Sequence, residues 1–531
     1  MLNLLLFSCA RVGAPNGGTR DSLAPKFLGS NIDTTRLNVS RTVKELRLDF
    51  DEYVMLKDFN KNFNVSPPIK KIKKVIPSNL ANKYVLIQWE DTLQANTTYN
   101  FNFGNAIVDN NESNPLPYFN FAFSTGDKID DLFVSGTVKD AMTLIKENQT
   151  AKDNKMVVGL YKAGENLDYK QKPDYITKVD EENYFELNFL PKGEFVIIAF
   201  DDENQNSVYD AGKEKVSFLK EKITLDSTSV RGLKLKLYPS KKVVKYKESK
   251  AINGGLLMTF EGNPETVEVK SLSEELKDFK VTHAKRSDSV NIWFDAEKSN
   301  LGGTVSKQVK LSYFTPTISD TISVSYKAVK EEFKLSNEAG NLIAPENNFV
   351  INTSLPIENL NTSSWKLESD SIAQDFTAKI SEKNPFKILV NSSFKPTKKY
   401  VLTIPKETVS SYYSSNDKSF QFQFEIDKPE NYGSFTAVIK NKPTAKFWVE
   451  LTNEKGEILY SQFTNASEVS FKNLKPATYI ARIRVDNNGN GFWDEADFAQ
   501  NIAAEDVYIF EKEINVRPLW EIKEDWELTN H

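Results

Sequence analysis

The chain has 531 residues, with 68 Lys plus Arg against 73 Asp plus Glu and a net charge of −5, so no basic surplus points to nucleic acid. That length exceeds a single hydrophobic core and fits roughly three to five domains, while 20 Tyr and 35 Phe suit pleated, half-buried strands. The lone cysteine, Cys9, excludes an intrachain disulfide, and two histidines, His283 and His531, leave almost no room for zinc or triad chemistry built on His.

The chain opens MLNLLLFSCARVGAPNGGTRDS: an apolar run, Leu4 to Phe7, meets Ser8 and Cys9, and a Gly/Pro/Asn-rich tether follows. Leu6 at −3, Ser8 at −1 and Cys9 resemble the lipobox of a bacterial lipoprotein. The apolar run is shorter than that of a full signal peptide, so residues 1–8 read as a truncated signal, and 9–22 as the lipidated cysteine with its tether. No stretch approaches the ~20 apolar residues of a spanning helix, which leaves acylated Cys9 as the expected link to the membrane.

From residue 23 onward, period-two alternation dominates. KELRLDFDEYV (44–54) puts Leu46, Leu48 and Phe50 on one face, and NKYVLIQW (82–89), TYNFNF (98–103) and YFNFAFS (118–124) follow at sandwich-like intervals. SEELKDF (273–279) is the one short segment that reads as a helix, and the lysine-dense KKVVKYKESK (241–250) reads as a linker.

The pattern is written twice. The interval from Tyr99 to Phe121 equals that from Tyr400 to Phe422, and the interval from Phe195 to Asp202 equals that from Tyr479 to Asp486. The expected layout is therefore sandwiches at 23–126, 127–240 and 251–330, then 331–430 repeating the first and 431–531 repeating the second. The fold class is all-β: tandem sandwiches, expected to form an elongated multidomain rod.

Each repeated module ends in an acidic loop. In the second, side-chain oxygens stand at Asp486, Asn488, Asn490 and Asp494, with the Phe492 carbonyl between them and Asp497 further on. The first carries Asp202, Asn204, Asn206 and Asp210, with the Val208 carbonyl and Glu214 completing the set. Alternating oxygens of this kind suit Ca²⁺, which takes six to eight oxygen ligands. They equally suit a loop closed by its own Asx turns. As a calcium site the second loop is the better of the two, because Gly491 fills the sixth position where the first loop has Ser207.

DSLAPKF (21–27) after the tether, TYNFNF to YFNFAFSTGD (98–127), DSVNIWF (288–294) and DNNGNGFWD (486–494) together resemble a family of Bacteroidota envelope lipoproteins with an N-terminal SbsA-type bacterial Ig-like domain. The modules ending in acidic loops resemble carboxypeptidase-regulatory-like sandwiches. That resemblance implies an outer-membrane lipoprotein, held by lipid on Cys9, that docks other envelope proteins and carries no catalytic residues. ARVGAPNGG after the cysteine lacks an acidic cluster, which favours the periplasmic face. No G-x-S-x-G, H-E-x-x-H, P-loop or G-x-G-x-x-G occurs, so the expectation is a non-enzyme. The alternative is a surface binder of glycan or peptide, with Trp89, Trp293 and Trp365 as sugar platforms and an unrecognised hydrolase activity.

Overall fold

The computed structural model describes residues 21–144, 155–164, 167–329 and 331–528. The signal segment and Cys9 lie outside the described residues. The chain divides into two compact units, one of Met1–Lys139, Asn148–Asp210 and Val216–Leu237, the other of Asp140–Glu147, Ala211–Lys215 and Tyr238–His531. Both are built of antiparallel-rich β-sandwiches; among the described residues the only α-helix is the single turn Phe59–Asn62.

The first unit holds two sandwiches. In the first, strand Glu45–Leu56 lies between Phe27–Ser30 and Asn82–Trp89, with Ile72–Ile76 beyond, and faces a sheet of Asn64–Ser66, Thr98–Gly104 and Phe119–Ser124. Alternation works here as a strand requires: Leu46, Leu48 and Phe50 point into the core, while Arg47 and Asp49 pair outside at 2.9 Å. The second sandwich sets Tyr175–Lys178, Met156–Lys162, Gly193–Asp201 and Val216–Phe218 against Tyr184–Leu190, Leu132–Asp140 and Val230–Leu237. It touches the first where the Ile176 N–H donates to Ser66 Oγ at 3.2 Å.

The second unit holds three sandwiches. The third sandwich begins earlier than the sequence suggested: Lys245–Ile252 is a strand, not a linker, paired with Gly255–Glu261 at the end of its sheet. Lysines belong on such an edge, where charge blocks pairing with a stray strand, so a guarded edge read as an unstructured linker. Residues 273–279 form a turn instead of a helix, with the Leu276 N–H donating to the Ser273 carbonyl and Leu276 itself fully buried in the core. So short a segment between two strands is too brief to nucleate a stable helix.

The repeat holds at the level of register. Tyr99 sits opposite Phe123 and Tyr400 opposite Phe424. Each tyrosine hydroxyl accepts the backbone N–H five residues upstream, from Gln94 and from Lys395, both at 2.8 Å. The fifth sandwich reproduces the sheet of the second, in the order Ile458–Thr464, Phe447–Thr452, Ala477–Val485, Val507–Ile509, with Ile514–Val516 also on Ala477–Val485.

Candidate functional site

Both acidic loops leave the end of the same strand of the module, and they share a set of equivalent hydrogen bonds. The Asp202 N–H donates to the Lys155 carbonyl at 3.0 Å, and the Asp486 N–H to that of Lys446 at 2.9 Å. Asp202 accepts from the N–H groups of Asn206 and Ser207 at 3.0 and 3.1 Å, and Asp486 from those of Asn490 and Gly491, each at 3.0 Å. Asn204 and Asn488 each accept the N–H two residues on, at 3.0 Å, while Asn206 accepts that of Val208 at 2.6 Å and Asn490 that of Phe492 at 2.7 Å. The Asn204 amide donates to Asp210 at 2.6 Å and the Asn488 amide to Asp494 at 2.5 Å. These serial Asx turns explain the alternating oxygens, because a short polar side chain two residues back satisfies each N–H.

The chain must also turn left-handed twice in each loop. Gln205 and Ser207 adopt φ of 58° and 61°, and Gly489 and Gly491 adopt 72° and 81°. Glycine takes that geometry freely, so the second loop is relaxed where the first is strained.

Around the second loop the structure gathers residues that are remote in sequence. Glu505, 6% exposed, accepts the N–H groups of Asn488 at 3.1 Å and Asp494 at 2.9 Å, one on each carboxylate oxygen. Its burial raises its pKa against the pull of those two donors. Arg286 of the third sandwich donates to the remaining oxygen of Asp494 at 2.7 Å, to Glu265 at 2.6 Å, and lies 4.6 Å over the Phe492 ring. At Asp494, burial works against ionisation, but the amides of Asn488 and Asn490 and the Arg286 guanidinium outweigh it and hold the carboxyl below the ordinary aspartate value. On a third side, the Ala496 N–H donates to the Pro239 carbonyl at 3.1 Å and the Lys241 N–H to the Ala496 carbonyl at 2.8 Å. The loop is a joint at which three distant stretches of chain meet.

Asp497 stands apart from this arrangement: its carboxylate caps its own turn, accepting from Gln500 N–H at 3.1 Å. Glu214 is buried, and its carbonyl accepts the Ser240 hydroxyl at 2.7 Å. Among the described residues no three His, Cys, Asp or Glu side chains come together as a metal-ligand group. Asp202, like Glu505, has its pKa raised by burial, partly offset by its two N–H donors and by Lys178.

The three tryptophans considered as sugar platforms are core residues, 2%, 3% and 5% exposed at Trp89, Trp293 and Trp365. Trp293 and Trp365 satisfy their indole N–H on Thr282 and Thr408 at 2.8 and 2.9 Å. His283 lies at the end of strand Lys280–His283, half-buried, with Nε2 3.0 Å from the Ser287 carbonyl.

Residues 21–125 match a family model described as a bacterial Ig-like domain. No curated protein matches the chain. Similar solved structures include domains 1–6 of the surface layer protein SbsC, at 12% identity and a TM-score of 0.16 over 93% of this chain and 67% of that one. BcpA, the major pilin subunit of Bacillus cereus, aligns at 11% identity and a TM-score of 0.13 over 75% of this chain and 99% of its own.

Proposed function

We propose that this protein is a non-enzymatic scaffold of the bacterial cell envelope, a lipoprotein of the outer membrane that docks other envelope proteins through its Ig-like sandwiches. The observation that carries this reading is the bacterial Ig-like match at residues 21–125 followed by four more sandwiches. The acidic loops, the strongest candidates for chemistry in the sequence, support it too, because the second one joins segments of its own chain. Burial of Trp89, Trp293 and Trp365 weighs against the glycan-binding alternative, since stacking on a sugar needs an open ring face. Native pull-down through a C-terminal tag tests the reading. Stable envelope protein partners are the expected result; a protein recovered alone, with measurable affinity for envelope polysaccharide, would sink it.

Calcium at the second loop belongs to the same proposal and meets a specific obstacle. A divalent ion beside Asp494 has to displace a guanidinium that already supplies positive charge there. The Arg286→Gln variant should therefore gain more thermal stability from millimolar Ca²⁺ than the wild type does. Equal responses in a calorimetric scan would reject the loop as a cation site.

A further inference from the structure

Most exposed strand edges of this protein are guarded by charge. Among the described edge strands of five or more residues, Ile72–Ile76, Lys245–Ile252, Phe376–Ser381 and Glu521–Glu527 all carry lysine. Only two such edges have no charged residue at all. Phe119–Ser124 is one, and it is largely buried. The other is Ile458–Thr464 of the fifth sandwich, ILYSQFT, which ends its sheet and pairs only with Phe447–Thr452, regularly from Tyr460 to Thr464 and with a bulge at Leu459. Ile458, Leu459 and Phe463 there are 46%, 49% and 44% exposed. An edge that is long, neutral and apolar is a template for another strand.

The repeat shows what this edge does elsewhere in the molecule. The corresponding strand of the second sandwich is Tyr175–Lys178, at the same place in a sheet of the same order. Tyr175, Ile176 and Thr177 are buried there, and Ile176 donates its N–H to Ser66 of the neighbouring sandwich. One copy of the module thus keeps this edge under another β-sandwich, while the other leaves it longer and uncovered.

We propose that Ile458–Thr464 pairs antiparallel with the same strand of a second copy of this chain, joining two fifth sandwiches across a two-fold axis. The strand suits itself. With no charge on it, no like charges meet across the axis, which the lysine-bearing edges would not allow. Pairing centred on Ser461 sets Tyr460 opposite Gln462 and brings Phe463 of each copy against the bulged end of the other, Ile458 and Leu459, so the exposed apolar residues meet. Phe463 is already held flat against the sheet by stacking on Trp448, ring centroids 4.4 Å apart, and so presents a fixed surface.

Sedimentation of the full chain at micromolar concentration should give twice the 60.3 kDa chain mass. Replacing both Leu459→Lys and Phe463→Lys should raise the dimer dissociation constant at least about tenfold, with a thermal melt confirming that the variant folds. A Ser461→Cys change on a Cys9→Ser background should yield a disulfide-linked dimer on mild oxidation, because the central residue meets itself. A wild-type chain that stays monomeric overturns the proposal, whether or not it captures a strand from another protein. So does a dimer that tolerates both lysines, or a Ser461→Cys variant that does not cross-link.

Discussion

Between the acidic loops, the difference that matters most is one side chain at a left-handed position. Ser207 and Gly491 occupy equivalent places at φ of 61° and 81°, so Ser207→Gly should stabilise the chain by up to about 1 kcal/mol and Gly491→Ser should cost about as much, read from urea unfolding. Asp494 gives a prediction with a pH signature. Its folded pKa is depressed, so the stability it contributes is complete above the ordinary aspartate value of about 3.9 and is lost as pH falls through the lower folded value. Asp494→Asn should therefore cost about 2 kcal/mol at pH 7, with the gap to wild type closing in acid; a gap independent of pH would show that the charge is not what matters. Spacing alone revealed the loop and its twin, because an interval of residues is preserved in a repeat. Arg286 and Glu505 were invisible to that method, since Arg286 reaches the loop from a turn of another sandwich, Glu505 from the irregular segment before Val507–Ile509, and no local pattern marks them.

Elements were legible where one face is buried and one is wet. Leu46, Leu48 and Phe50 alternate because Glu45–Leu56 has its core on one side only. Lys245–Ile252 escaped because an edge strand with little buried surface lacks that alternation. The outer face shared by Phe447–Thr452 and Ala477–Val485 escaped for a different reason: it buries charge. Glu450 is fully buried there, receiving Arg482 at 2.7 Å and Arg484 on its other oxygen, from positions opposite and diagonal across the ladder. Removing the shared acid strands two guanidinium groups, so Glu450→Gln should cost about 3–5 kcal/mol. Replacing all three residues with Leu and Met of similar volume should cost far less, and a denaturation series on both variants separates the value of the pair from the penalty of breaking it. If the single change proves mild, water reaches the triad and the face is more open than its burial indicates.

Across the whole molecule, the all-β class follows from sequence because hydrophobic alternation and turn residues are local. Docking between sandwiches is not local, and the segment Pro239–Lys241 illustrates it. The proposed membrane link is tested at this scale: Cys9→Ala should move the protein from the membrane fraction to the soluble one, and continued sedimentation with membranes would reject lipid on Cys9 as the anchor. Pro239–Lys241 has a consequence in time as well as in space. Its hydrogen-bond partner, Ala496, is translated more than two hundred residues later. During synthesis or export from the N-terminus, this stretch has emerged long before its partner exists, and the contact can form only by a late, long-range closure. A protease that cleaves at residues 238–241 would therefore tell unfinished chains from finished ones.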